Sequence, residues 1–163
     1  MADALGSIAK RVATRLLARG YSVTTAESCT GGMVAVALTD IAGSSTWFER
    51  GFVTYSNAAK VEMLGVDPAL IERVGAVSED TARAMARGAL CASPADLALA
   101  VTGIAGPTGA VAGKPVGTVC FAWALRDGEA RTETCHFDGN RASVRRAAAV
   151  HALRGVADWL EQE

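Results

Sequence analysis

Apolar residues recur at intervals of three and four at Leu5, Ile8, Val12, Leu16 and Leu17, with Lys10, Arg11 and Arg15 between them. That spacing predicts an amphipathic helix over residues 5–17, which Gly20 stops. Residues 21–26 form a β-branched run, the first strand. The glycine-opened, Ala/Val/Met-rich stretch 30–38 predicts a second helix, and 48–55 (FERGFVTY) a second strand. A short helix follows over 58–64, and Pro68 opens another. Ser78 suits an N-cap, with Glu79 and Asp80 in the first turn where carboxylates meet the positive helix end, and that helix runs to about Leu90. Residues 96–102 (DLALAVT) are nearly all apolar, as in a strand buried on both faces, and they break into a Gly/Pro loop over 103–115. Strands over 116–125 and 130–137 flank Asp127-Gly128, the signature of a hairpin. A helix over 142–160 closes the chain. Helix and strand alternate, with one hairpin and one doubly buried strand. The expected class is therefore α/β, a three-layer α/β/α sandwich around a mixed, mostly parallel sheet. With 163 residues, no repeat and no linker-like segment, residues 1–163 read as one domain.

Composition removes several function classes. Sixteen Lys plus Arg against seventeen Asp plus Glu leave a net charge of -1. No global positive field is available to a polyanion, so nucleic acid is not an expected partner. The apolar runs fall short of the roughly 20 residues of a membrane span, and the start lacks the basic-then-apolar order of a secretory signal. A cytoplasmic protein with no membrane partner is expected. Cys29, Cys91, Cys120 and Cys135 are scattered, with no C-x-x-C and no histidine at ligand spacing, which disfavours a structural zinc site. Cys91 and Cys120 lie in apolar runs and read as small core residues.

The densest chemistry is Thr25-Ala26-Glu27-Ser28-Cys29-Thr30-Gly31-Gly32, where the first strand meets the second helix. A helix N-terminus offers unpaired amides and the positive end of a dipole to a phosphate, a carboxylate or an oxyanion. A plain cap by Ser28 or Thr30 is the simpler alternative. As a nucleophile, Ser28 needs a base. His136 and His151 sit near a strand end and in mid-helix, where packed or surface roles suit them. Lysine serves as base where burial or nearby positive charge lowers its pKa. Only three of the sixteen basic residues are lysines, Lys10, Lys60 and Lys114. Lys10 falls on the polar face of the first helix. Lys60, one turn into a short helix, can point back over the sheet edge toward Ser28 or equally into solvent. Lys114 lies at the far end of the loop that begins Thr102-Gly103-Ile104-Ala105-Gly106-Pro107, and such a loop can wrap an anion. The order is not that of a P-loop, and no G-x-G-x-x-G follows the first strand, so nucleoside triphosphates and dinucleotides are not indicated. Arg141 and Arg145 share one helix face, which suits a phosphate or a solvated surface.

Six ordered motifs extend over essentially the whole chain: Ala26 to Gly32; Gly51 to Asn57 with Lys60; Leu64-Gly65-Val66; Gly75-Ala76-Val77-Ser78; Thr102 to Pro107; and Lys114 to Val119. Together they resemble the CinA C-terminal domain family, the nicotinamide mononucleotide (NMN) deamidases. The resemblance implies hydrolysis of the NMN carboxamide to nicotinic acid mononucleotide and ammonia, by a serine and a lysine, without metal or cofactor. It casts Ser28 as nucleophile, Lys60 as general base and Tyr55 as a hydrogen-bonding partner in the proton path. Glu27, Thr30, Gly31, Gly32, Asn57, Thr102, Gly103, Ile104, Ala105, Gly106, Lys114, Arg141 and Arg145 are the expected substrate contacts. The chain departs from the commoner pattern at Thr108-Gly109-Ala110. Cys29 is a rival nucleophile, since helix N-termini lower thiol pKa values, although neighbours along a strand face opposite sides. A non-catalytic module that binds a pyridine nucleotide is the rival function. The family commonly self-associates, and an Ala-rich chain ending near Trp159 has surface to pack against a copy, so a homodimer is expected.

Overall fold

Side-chain caps set the starts of most helices in the computed structural model, which describes residues 3–162. Asp3 accepts a hydrogen bond from the Leu5 amide to begin α1 (Ala4–Arg19), and Gly20 ends it in the left-handed conformation. Ser56, Asp67 and Ser78 cap α3 (Asn57–Leu64), α4 (Pro68–Val74) and α5 (Glu79–Cys91) in the same way. The remaining helices are α2 (Met33–Thr39) and α6 (Arg141–Gln162), and a 3-10 turn spans Ser44–Thr46. None of the helices among the described residues is long and apolar enough to cross a membrane.

Five strands, β1 (Val23–Glu27), β2 (Phe48–Val53), β3 (Leu97–Gly103), β4 (Thr118–Leu125) and β5 (Ala130–His136), form one sheet in the order β2-β1-β3-β4-β5. β1 pairs in parallel with both β2 and β3, whereas β4 is antiparallel to both of its neighbours. Four strands thus run one way and β4 alone runs against them, a mixed and mostly parallel sheet. Helices α1, α2 and α6 cover one face and α3, α4 and α5 the other, so the three layers are those that the pattern predicts.

The two faces of the central strands differ in bulk. Leu97, Leu99, Val101, Val119, Phe121 and Trp123 point into the α1/α6 layer, while Ala98, Ala100, Ala122 and Ala124 line the α5 side. Small residues there let α5 lie close to the sheet through Ala82, Met85, Ala86 and Ala89, all fully buried. The chain passes from β1 to β2 through α2 on one face, and from β2 to β3 through α3, α4 and α5 on the other. The strand order therefore reverses between β1 and β3, and a crevice opens outside their carboxyl ends.

Three expectations need correction. The second helix begins at Met33 rather than at residue 30, because Gly31 (φ 59°) and Gly32 (φ 103°) are left-handed and form the turn before it. Cys91 is exposed, since it falls on the solvent side of the last turn of α5, one residue past buried Leu90. Trp159 offers no surface to a second copy. It is 2% exposed, with the Arg131 guanidinium 4.4 Å above its ring.

One close approach fixes α3 against α5. A Cβ placed on Gly88 would sit 2.0 Å from the Leu64 carbonyl oxygen, so only glycine allows the two backbones to meet. Gly88→Ala is expected to lower the unfolding free energy by about 1–3 kcal/mol, the cost of overpacking, as read from denaturant melts.

Candidate active site

Ser28 is the first residue beyond β1, and its amide donates to the Val101 carbonyl of β3 (2.9 Å), so the sheet itself places it at the crevice. The corner behind it is held by Glu27, which is fully buried. One Glu27 carboxylate oxygen accepts from the Thr30 hydroxyl (2.6 Å) and the Val34 amide (2.9 Å), and the other from the Ala35 amide (3.0 Å). These bonds supply the side-chain cap that Gly32 cannot provide to α2. From α6, Arg145 donates to the carbonyls of Cys29 (3.0 Å) and Thr30 (3.3 Å) and braces the same turn.

Lys60 reaches Ser28 from α3. β2 stops at Val53, the chain turns through residues 54–56, and the Ser56 cap starts a helix that carries Lys60 inward. The side chain is 1% exposed. Its Nζ lies 3.2 Å from Ser28 Oγ, 3.1 Å from the Tyr55 carbonyl and 3.5 Å from the Ser56 carbonyl. All three oxygens are uncharged. Burial lowers the Lys60 pKa below its ordinary value, against a smaller opposing influence of Cys29. Ser28 Oγ also lies 3.3 Å from the Tyr55 carbonyl, the common acceptor of the pair. Tyr55 therefore meets Ser28 and Lys60 through its main chain. Its phenol, well exposed, accepts instead from Arg141 (3.0 Å), which donates a second bond to the Gly106 carbonyl (2.8 Å).

A cleft of about 300 Å³ opens over this pair. Of the residues expected from the sequence, Ser28, Tyr55, Asn57, Lys60, Thr102, Gly103, Ile104, Ala105, Gly106 and Arg141 border it. Glu27, Thr30, Gly31, Gly32, Lys114 and Arg145 do not. Thr30, Gly31, Gly32 and Arg145 instead line a separate hollow of about 670 Å³, shared with the start of α1. Lys114, in the loop after β3, donates to the Val74 carbonyl at the end of α4 (3.0 Å), and Thr102, near the end of β3, donates to that of Ala76 (2.9 Å), so both hold the end of α4 and the turn after it. That turn brings Ala76 and Val77 to the cleft, and Thr108 and Gly109 join from the loop. Their residue types carry no chemical signal. Gly75-Ala76-Val77-Ser78 stands out in the sequence only as a motif.

Cys29 also borders the cleft, but burial pushes its thiol up to about 12, with the Glu27 carboxylate adding to the effect and Arg145 and Lys60 opposing it. A thiol so held is not ionised near neutrality. The bordering residues include no carboxylate and no imidazole, and their two cations are Lys60 and Arg141. The arrangement joins a hydroxyl to an amine whose pKa burial lowers, beside an arginine at the rim.

Comparison with known proteins gives a consistent answer. The chain is 54% identical over 150 residues to the nicotinamide-nucleotide amidohydrolase PncC of Enterobacter agglomerans, covering 92% of each chain. It is 55% identical to that of Escherichia coli K12, covering 92% of this chain and 91% of the relative. A crystal structure of a CinA superfamily protein from Klebsiella pneumoniae superposes with a TM-score of 0.94 at 38% identity, over 98% of this chain and 99% of the other. Residues 5–160 match the family model of the CinA C-terminal domain, and the chain belongs to that family.

Proposed function

We propose that this chain hydrolyses the carboxamide of NMN to nicotinic acid mononucleotide and ammonia, with Ser28 as nucleophile and Lys60 as its base. The observation that carries the mechanism is the 3.2 Å approach of a buried lysine amine to the serine hydroxyl. The names of the amidohydrolase relatives support the substrate. So does the cleft, whose volume of about 300 Å³ suits one mononucleotide and whose Arg141 favours a phosphate.

In this reaction Ser28 Oγ attacks the carboxamide carbon while neutral Lys60 takes its proton. The tetrahedral oxyanion lies against main-chain amides of Cys29 or of the segment after β3; the Ile104 amide is already committed to the Thr118 carbonyl. Lys60 then returns the proton to the leaving ammonia. Water, deprotonated by the same amine, cleaves the acyl ester and frees Ser28. Asn57 and Arg141, at the rim, face the ribose phosphate. The enzyme works as a cytoplasmic homodimer in this reading, and finding only monomer by light scattering at micromolar protein would overturn the dimer.

Ser28→Ala is expected to lower NMN turnover at least about 10³-fold, as loss of a nucleophile does. Lys60→Met should cost about 10²–10⁴-fold, the usual share of a general base. Cys29→Ala should stay near wild type, and EDTA should leave ammonia release unchanged. Binding of NMN by the wild type without ammonia release would replace the hydrolase with a nucleotide-binding module.

Rising pH should increase kcat/KM through an inflection below the ordinary lysine range, because only deprotonated Lys60 accepts a proton; the inflection should vanish in Lys60→Met. Stability should follow the same group. With the folded pKa below the unfolded one, the folded state releases its proton first, so the penalty of burying Lys60 fades as pH rises between the two values. The stability gap between Lys60→Met and wild type should move in favour of the wild type across that window, as read from urea melts at several pH values.

A further inference from the structure

Strand β5 and helix α6 bring together three side chains that the cleft does not use. Glu133 and Cys135 are two apart on β5 and share a face, and α6 sets His151 opposite them. Cys135 Sγ lies 3.0 Å from Glu133 Oε1 and 3.4 Å from His151 Nε2, and Nε2 lies 2.5 Å from the same carboxylate oxygen. Among the described residues, this is the one group of three such side chains whose donor atoms all lie within 4.8 Å of one another. The His151 ring is held in place by aromatic neighbours, with centroids 4.7 Å from Phe121, 6.0 Å from Phe137 and 6.2 Å from Trp123. Core packing therefore aims Nε2 at the cluster.

We propose that Glu133, Cys135 and His151 form a site for a borderline-soft divalent transition-metal ion, Zn²⁺ above all, remote from the cleft. Thiolate, imidazole and carboxylate are the donors such an ion takes, at about 2.3, 2.0–2.1 and 2.0–2.2 Å. Donors bonded at those lengths and at tetrahedral angles stand roughly 3.3–3.6 Å apart. The thiol and imidazole are already at that separation. Glu133, the exposed member, has only to swing outward to open the centre. On binding, the thiol proton leaves to solvent and the imidazole carries its hydrogen on Nδ1, which frees the Nε2 lone pair. Three protein donors leave a fourth position to solvent; two of them, Glu133 and His151, also border a hollow of about 520 Å³ with Arg131, Arg154 and Asp158. The ion would clamp edge strand β5 to α6, the helix whose first turns carry Arg141 and Arg145.

Cobalt is the probe. One equivalent of Co²⁺ added to the EDTA-stripped full chain should give thiolate-to-cobalt charge-transfer absorption in the near ultraviolet and intense visible bands, both erased by Zn²⁺. Cys135→Ser should remove the near-ultraviolet band, and Cys91→Ser, which alters the exposed thiol, should not. His151→Asn should weaken Zn²⁺ binding at least about 100-fold, since loss of even an outer partner of a ligand costs about 10–100-fold. Absence of the band at one equivalent, its survival in Cys135→Ser or its loss in Cys91→Ser would overturn the site. Should Cys135→Ser fail to fold, Glu133→Gln decides. It alters an exposed residue, and it should keep the near-ultraviolet band while weakening Co²⁺ binding; unchanged affinity would overturn the three-ligand site. Stripped and loaded proteins should turn over NMN alike, because none of the three residues borders the cleft.

Discussion

An ammonium group sealed from water with no carboxylate beside it is the constraint around which this chain is arranged. Removing an ion from water costs several kcal/mol even after relaxation, and Lys60, 1% exposed, recovers part of that through three neutral oxygens. Each of those oxygens has a structural reason to be there. The Tyr55 and Ser56 carbonyls are available because β2 ends at Val53 and leaves residues 54–56 outside the ladder. Ser28 is available because β1 ends one residue earlier and the sheet register fixes its amide. Helix α3 can press Lys60 into this position because Gly88 lets it touch α5. What remains of the cost appears as a lowered pKa, the direction that the proposed role of Lys60 as a base requires. Arginine could not replace it, since a guanidinium does not release its proton in a protein.

Much of the fold is legible in the sequence because its signals are local. Gly20, the Ser78 cap with its acidic first turn, the apolar run that becomes β3 and the Asp127-Gly128 turn each act within a few residues. The misplaced start of α2 has a local cause too. Gly31 and Gly32 serve equally as a helix opening or as left-handed turn residues, and only the anchoring of Glu27 to the Val34 and Ala35 amides selects the second. Trp159 and Cys91 reverse their expected exposures because position on a helix face, rather than hydrophobicity, decides what each meets.

The site is less legible, for a geometric reason. A sequence segment has two sides. Residues 27–32 read as one functional block, yet Ser28 and Cys29 face the cleft while Glu27, Thr30 and Arg145 hold the turn from behind. Spacing alone cannot settle whether Lys60 turns inward, because its path depends on where α5 lets α3 lie, 28 residues away at Gly88. The same limit hides the cluster on β5 and α6. Cys135 and His151 are sixteen residues apart, a distance that matches no ligand spacing, and only the packing of α6 across β5 makes them neighbours.

In the proposed reaction, environment, more than intrinsic reactivity, decides between the adjacent Ser28 and Cys29 as nucleophile. A thiol is the better nucleophile only as thiolate, and the dry corner beside Glu27 pushes Cys29 up to about 12. The same loss of water lowers Lys60. Burial disfavours charge in both groups, but with opposite chemical consequences. A neutral thiol has lost its reactive form, whereas a neutral amine has gained the lone pair that a base needs. In the proposed reaction, desolvation at one corner therefore works against Cys29 as nucleophile and in favour of Lys60 as base. The Ser28 hydroxyl needs no prior ionisation, only a proton acceptor, and Lys60 Nζ lies 3.2 Å away, which is why the proposed mechanism gives the attack to Ser28.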